Sequence, residues 1–278
     1  MLTNETNLSR LRLAISFHFH RLRRESTNYS LFKHRQVVGQ IVSQHQSGTH
    51  WLKYMMANAL SHQHCLPPPK YNHANDFIGG PKDPIIYPDL PRLISSHSIP
   101  PLTAPLLVKF NQVKLPKYVL LVRDIRASLV SNYRKWKERY SVDFNEFLLG
   151  DPAGKKYNSD LWWSIRFLNA WGHLNTVYSE NMLTVHYESL IENTEMELNR
   201  VSNFLKLRLS AEAISFGVQS ASKSAMTLSA DPERPKGEVN QGELNYFEWY
   251  APADRALFTA RCLKYLKFDF NYDYRKWP

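Results

Sequence analysis

The chain lacks any run of roughly eighteen consecutive apolar residues, so no membrane-spanning helix is expected. It has only two cysteines, Cys65 and Cys262. That is too few for a disulfide framework and points to a reducing compartment, with the cytoplasm as the expected location. It lacks the apolar h-region and small-residue cleavage site of a signal peptide. Zinc-finger spacing is also missing. His62, His64, Cys65 and His73 have no second paired motif, and Pro67–Pro69 interrupt them. They are read as loop, and no metal is expected. No internal repeat or low-complexity linker is present.

What remains is 278 residues with 43% apolar content and a formal charge of +10. This is enough for a large core. The charge suits an anionic ligand or substrate, a membrane surface or nucleic acid. Residues 1–35 form a basic segment with Arg10, Arg12, Arg21, Arg23, Arg24, Lys33 and Arg35 interleaved with Leu11, Leu13, Ile15, Phe17 and Phe19. It is read as a helix packed on the domain. Peripheral contact with an anionic membrane is its alternative reading. Residues 36–278 are read as one domain.

The organising stretch is Gln36–Ser61. Val37, Val38, Ile41 and Val42 give a short buried strand. Ser43–Thr49 turn as a polar loop. From His50, apolar residues Trp51, Leu52, Met55, Met56, Ala59 and Leu60 recur at helical spacing. A strand, a tight loop and a helix make a phosphate cradle, because the helix N-terminus presents unpaired N–H groups and a positive dipole end. Ser47 and Thr49 bring hydroxyls, and Gly48 permits close backbone approach. An ordinary helix cap by Ser47 or Thr49 is the plain alternative.

Further along, residues 70–91 read as a long surface excursion of the kind that gates substrates. Leu93–Ser95 form a short strand, and His97 lies just past its end, where α/β sheets meet ligands. A histidine there is a candidate general base. Lys117–Val122 is a clear buried strand ending at Arg123-Asp124, with a helix to Trp136. A strand-end arginine can hold phosphate in bidentate fashion, with Ser131 adding a hydroxyl; a surface Arg123–Asp124 ion pair is the alternative. Trp162, Trp163, Phe167 and Trp171 are spaced as a helix face, more often core than ligand platform. Met182–His186 is a strand followed by Tyr187, Glu188 and a helix through Leu205. From Ser210 to Glu243 the pattern dissolves into a polar stretch carrying Arg234, Lys236 and Gly237. A last helix covers Asp254–Leu266. Alternation of strand and helix predicts a three-layer αβα sandwich with a mainly parallel sheet.

These motifs resemble the sulfotransferases that use 3′-phosphoadenosine 5′-phosphosulfate (PAPS). Gln46-Ser47-Gly48-Thr49-His50-Trp51 is similar to the family's P-loop-like 5′-phosphosulfate loop. Val119–Tyr133 is similar to its 3′-phosphate motif, which assigns that phosphate to Arg123 and Ser131. Ile94–Pro100 puts His97 at the position of the catalytic base. Tyr187 matches the adenosine contact, and Arg234, Lys236 and Gly237 resemble the closing loop. The resemblance implies PAPS as co-substrate and sulfuryl transfer to a hydroxyl or amine of a small-molecule or glycan acceptor, which the positive charge mildly favours as anionic. It implies no nucleic acid. Two family lysines are replaced, by Gln46 in the cradle and Ser95 near the base. An impaired PAPS-binding protein is therefore the second reading, with His45, His50 and Lys53 as stand-ins for the cradle cation. A P-loop kinase fits poorly, since Gly-Lys-Ser/Thr is missing.

Overall fold

A computed structural model describes residues 7–24, 37–101, 103–110, 115–233 and 245–277. In chain order its elements are α1 (Asn7–Arg24), β1 (Gly39–Ser43), α2 (Thr49–Gln63), β2 (Ile78–Gly79), β3 (Leu93–Ser96) and α3 (Ala104–Lys109). They continue with β4 (Lys117–Val122), α4 (Ile125–Tyr140), α5 (Phe144–Leu149), α6 (Leu161–Tyr178), β5 (Met182–His186) and α7 (Tyr187–Glu192). α8 (Thr194–Leu205), α9 (Ala211–Ser220), α10 (Lys223–Leu228) and α11 (Pro252–Tyr265) complete the set.

The strands pair in the order β2-β3-β1-β4-β5, every neighbour parallel. Parallel pairing needs helical crossovers, and these cover both faces. β4 shows the consequence in its side chains. Tyr118, Leu120 and Val122 join one core with α3, α4, α5, α6 and α11. Val119 and Leu121, pointing the other way, join a second core with α2, α8 and α9. A strand with period-two side chains and two apolar faces has to be central. The result is the αβα arrangement that the alternation of elements predicts.

Some boundaries differ from the sequence reading. The patternless stretch after Ser210 holds α9 and α10. α9 packs on α2 through Gly217, where a Cβ would come within 2.5 Å of the Met55 carbonyl oxygen. A helix that seats its backbone on another through small residues carries few large apolar side chains, so its period is faint. The helix read through Leu205 is two, α7 and α8, separated at Asn193. The excursion at 70–91 contributes β2, a two-residue edge strand.

α6 positions the tryptophans. Trp163 and Trp171 are buried, whereas Trp162 is half-buried with its indole N–H donating to the Leu149 carbonyl. Asp160 caps α6, accepting from the Trp163 and Asp151 N–H groups at 2.8 and 2.6 Å. It is 1% exposed, and burial pushes its pKa up to about 6, against those two hydrogen bonds. In the unfolded chain the same carboxyl ionises near 3.8. Between these values the native state keeps a proton that the unfolded state has released, so stability falls as pH rises through the window. The change is on the order of 2–3 kcal/mol. Asp160→Asn, which still caps, is expected to flatten the pH dependence of urea midpoints between about pH 4 and 6. Identical slopes in both proteins would show that Asp160 does not titrate there.

Candidate anion site at two strand-to-helix junctions

β1 and β4 are paired, so the turns that follow them lie side by side. The first turn enters α2 through Gly48, whose φ is +89°. Only glycine adopts this without penalty, and a Cβ would also sit 2.7 Å from the Tyr187 ring. Gln46 is left-handed as well, with φ 61°. α2 has no side-chain cap and no acidic residue in its first turn. The backbone N–H groups of that turn therefore keep the positive end of the helix dipole open. The other turn contrasts with it. Asp124 caps α4, accepting from the Arg126 N–H, and pairs with the Arg126 guanidinium at 2.6 Å. Asp124 thus engages Arg126, not Arg123.

The hydroxyls of the first loop point inward. Ser47 Oγ donates to the Gln44 carbonyl at 2.6 Å and lies 3.4 Å from that of Leu121. Thr49 Oγ1 is 2.7 Å from Ser43 Oγ. These bonds brace the loop from behind and leave the backbone amides as its outward donors.

Arg123 follows β4 and is 6% exposed. Its Nη1 donates to the Gln46 carbonyl at 2.8 Å and lies 3.4 Å from Ser131 Oγ. Its Nη2 donates to the Tyr246 hydroxyl at 2.7 Å. Its plane lies against the rings of Tyr187 and Tyr246, 4.3 and 4.9 Å from their centroids. Among the described residues no carboxylate pairs with it. Desolvating a guanidinium costs on the order of several kcal/mol, and neutral partners return only part. An anion would return the rest. Buried Gln44 supports the same edge: its Oε1 accepts from the Arg123 N–H at 3.3 Å, and its Nε2 has no partner among the described residues.

His97 stands beside this edge because β3 pairs with β1. Its Nδ1 is 2.8 Å from the Ser43 carbonyl and 3.1 Å from Ser43 Oγ. A carbonyl only accepts, so Nδ1 carries the hydrogen and Nε2 the lone pair. The His45 ring stacks on His97 at 4.0 Å and meets Trp163 edge-on at 4.6 Å.

The structure thus brings together Gln46, Ser47, Gly48, Thr49, Arg123, Ser131 and Tyr187, with His97 joined through Ser43. Trp51 turns to α9, its indole N–H donating to the Ala221 carbonyl at 3.0 Å. His50 is exposed on α2. Its pKa is lowered first by desolvation, then by the cations Lys53 and Lys135. Lowered below its ordinary range, His50 is neutral at pH 7. Lys53 is buried and donates to Asn75 Oδ1 at 2.7 Å. Arg234, Lys236 and Gly237 lie outside the described residues. Of the loop histidines, His73 pairs with Asp231 at 3.2 Å and His62 packs against Phe216. Sequence reading missed Ser43, Gln44 and Tyr246. The first two carried a signal, since both are polar at the end of an apolar strand; Tyr246 had none.

Residues 40–231 match the model of the sulfotransferase domain. Among solved structures, the chain is similar to mouse sulfotransferase SULT7A1 complexed with PAP, at 18% identity and a TM-score of 0.56, over 83% of this chain and 85% of that one. It is also similar to retinol dehydratase in a complex with retinol and PAP, at 15% identity and a TM-score of 0.55, over 89% and 87%. The same enzyme with androsterone and PAP matches at 16% and 0.54, over 84% and 82%. No curated protein matches the chain by sequence.

Arg123→Gln is expected to leave the thermal midpoint unchanged or higher, because it removes a desolvated cation. It should abolish the rise that inorganic phosphate gives the unaltered protein, roughly 3–6 °C at ten times its dissociation constant. An equal rise in both proteins would mean that the guanidinium does not hold the anion.

Proposed function

The chain belongs to the sulfotransferase-domain family, and from that membership we propose that it transfers a sulfuryl group from PAPS to a hydroxyl of a small-molecule acceptor. The observation that carries this reading is Arg123, a buried cation that no carboxylate pairs with among the described residues, beside a helix N-terminus without a side-chain cap. Two anion-seeking groups bridged by one hydrogen bond suit a ligand with two phosphate-like ends. The relatives whose structures contain PAP favour the same ligand. PAPS fits the residues present: Gly48 leaves no room for a Cβ, and Gln44 Nε2 is a buried donor with no partner among the described residues.

PAPS supplies a sulfuryl group bridged through oxygen to its 5′ phosphate. The amides of Gly48, Thr49 and His50 would hold that phosphate, with Gln46 adding a side-chain amide. Arg123 and Ser131 would hold the 3′ phosphate, and Tyr187 and Trp51 the adenosine. Arg234, Lys236 and Gly237 would close over it. His97 takes the acceptor proton at Nε2 while Ser43 fixes its tautomer. The acceptor oxygen forms a bond to sulfur as the bridging S–O bond breaks, and the electron pair leaves on the phosphate oxygen. Negative charge grows there, so a preorganised donor at that oxygen acts mainly in the transition state. Neither chemistry nor charge calls for a metal. A hydroxyl acceptor is favoured by the retinol and androsterone bound to the dehydratase relative. A glycan, an amine or an anionic acceptor remains a matter for the acceptor screen.

Three observations favour a second reading, a protein that binds the nucleotide but transfers slowly. Gln46 brings no charge to the leaving oxygen, His50 is neutral, and Lys53 is engaged by Asn75. Losing such a donor costs about 10²–10³ in rate.

Transfer of labelled sulfate from PAPS to a panel of alcohols, phenols and sugars separates the two. Turnover by the unaltered protein, lost by about 10²–10⁴ in His97→Ala, is the expected result. Gln46→Lys is expected to raise kcat with little change in KM. Nucleotide binding without turnover, together with a gain in Gln46→Lys, would instead establish the second reading. Full turnover in His97→Ala would remove histidine as the base.

A further inference from the structure

α1 packs on the body through one face and leaves another uncovered. Phe17 is 1% exposed, with its ring 4.0 Å from the Arg166 guanidinium. It lies so close to Gly154 that a Cβ there would be 2.5 Å from the ring. Ile15 and Phe19 each stand about 200° around the helix from Phe17. With Leu8 and Leu11 they form a stripe at three- and four-residue spacing, and all four are exposed, at 59%, 57%, 59% and 68% for Leu8, Leu11, Ile15 and Phe19. Single exposed apolar residues are ordinary; four in register on one helix are not.

The net charge of the segment points to what covers the stripe. Asn7–Arg24 contains five arginines, Arg10, Arg12, Arg21, Arg23 and Arg24, and no aspartate or glutamate. Arg12 is exposed beside the stripe. A second copy of the chain would bring a like-charged helix against this one, which repels. An anionic bilayer offers both complements at once: an acyl boundary for the leucines, isoleucine and phenylalanine, and acidic headgroups for Arg12 and for the net positive charge of the segment.

We propose that α1 is an interfacial docking helix that binds the protein to anionic lipid membranes through Leu8, Leu11, Ile15 and Phe19. The helix lies in the plane of the headgroups, with Phe17 fastening it to the body from the other side. Such a helix binds reversibly, since it buries one face only and each arginine near the surface adds about fivefold in affinity. Docking depends on neither Arg123 nor His97, so it stands or falls apart from the transfer chemistry.

The test is cosedimentation of the full chain with vesicles of phosphatidylcholine containing about 30% phosphatidylserine, at low and high salt. The unaltered protein is expected to pellet with these vesicles, to release at high salt and to pellet weakly with phosphatidylcholine alone. Ile15→Glu/Phe19→Glu should weaken binding at least about tenfold, while Ile15→Leu/Phe19→Leu keeps it. Both variants should retain the circular dichroism spectrum. The proposal is overturned if the unaltered chain stays in the supernatant, or if the glutamate variant pellets equally. It is also overturned if gel filtration shows a dimer that the glutamate variant splits, because the stripe would then be covered by a second copy.

Discussion

The site rests on the hydrogen bond from Arg123 to the Gln46 carbonyl. It ties the turn after β4 to the turn after β1, and both partners are held where they would not otherwise be. Arg123 is desolvated, and among the described residues no acid pairs with it. Gln46 occupies a left-handed conformation that ordinary side chains avoid, at a cost on the order of 1 kcal/mol. Strain and desolvation at adjacent groups are tolerated only when the surrounding fold enforces them. Here the parallel β1–β4 pair does so from below, and the Tyr187 and Tyr246 rings do so from the sides.

This arrangement keeps two anion-binding elements in one unit. The open amides of α2 and the guanidinium are not separate pockets, because moving the loop moves the carbonyl that Arg123 grips. The same loop reaches His97. Ser43 ends β1, touches Thr49 at the start of α2 and fixes His97 through its own carbonyl. A change at one end of the loop is therefore transmitted to both Arg123 and His97. His45 adds to that linkage, since it lies between the cradle, His97 and Trp163.

Much of this was legible in the sequence where local pattern and tertiary role agree. β4 begins and ends where the sequence reading put it, because a strand buried on both faces leaves no ambiguity of period; the edge strand β5 keeps its expected bounds as well. Arg123 and His97 were legible as polar residues at strand ends. The partners were not. Nothing in one sequence states that β1 pairs with both β3 and β4, and that pairing brings Ser43 to His97 and Gln46 to Arg123. Tyr246 reaches Arg123 from 123 residues away, and its segment has no periodic signal. α9 was invisible because its contact with α2 is made by backbone at Gly217. The inward turn of the Ser47 and Thr49 hydroxyls was also hidden, since a Ser-Gly-Thr turn reads the same whether its hydroxyls brace the loop or face a ligand.

The most direct test is calorimetric titration of the unaltered protein with 3′,5′-ADP and, in parallel, with 5′-AMP, which lacks the 3′ phosphate. If Arg123 is a buried cation held for that phosphate, 3′,5′-ADP should bind at least about 10²-fold more tightly, as a charge-assisted contact in a desolvated site requires. Equal affinities, or no binding of either nucleotide, would contradict the account.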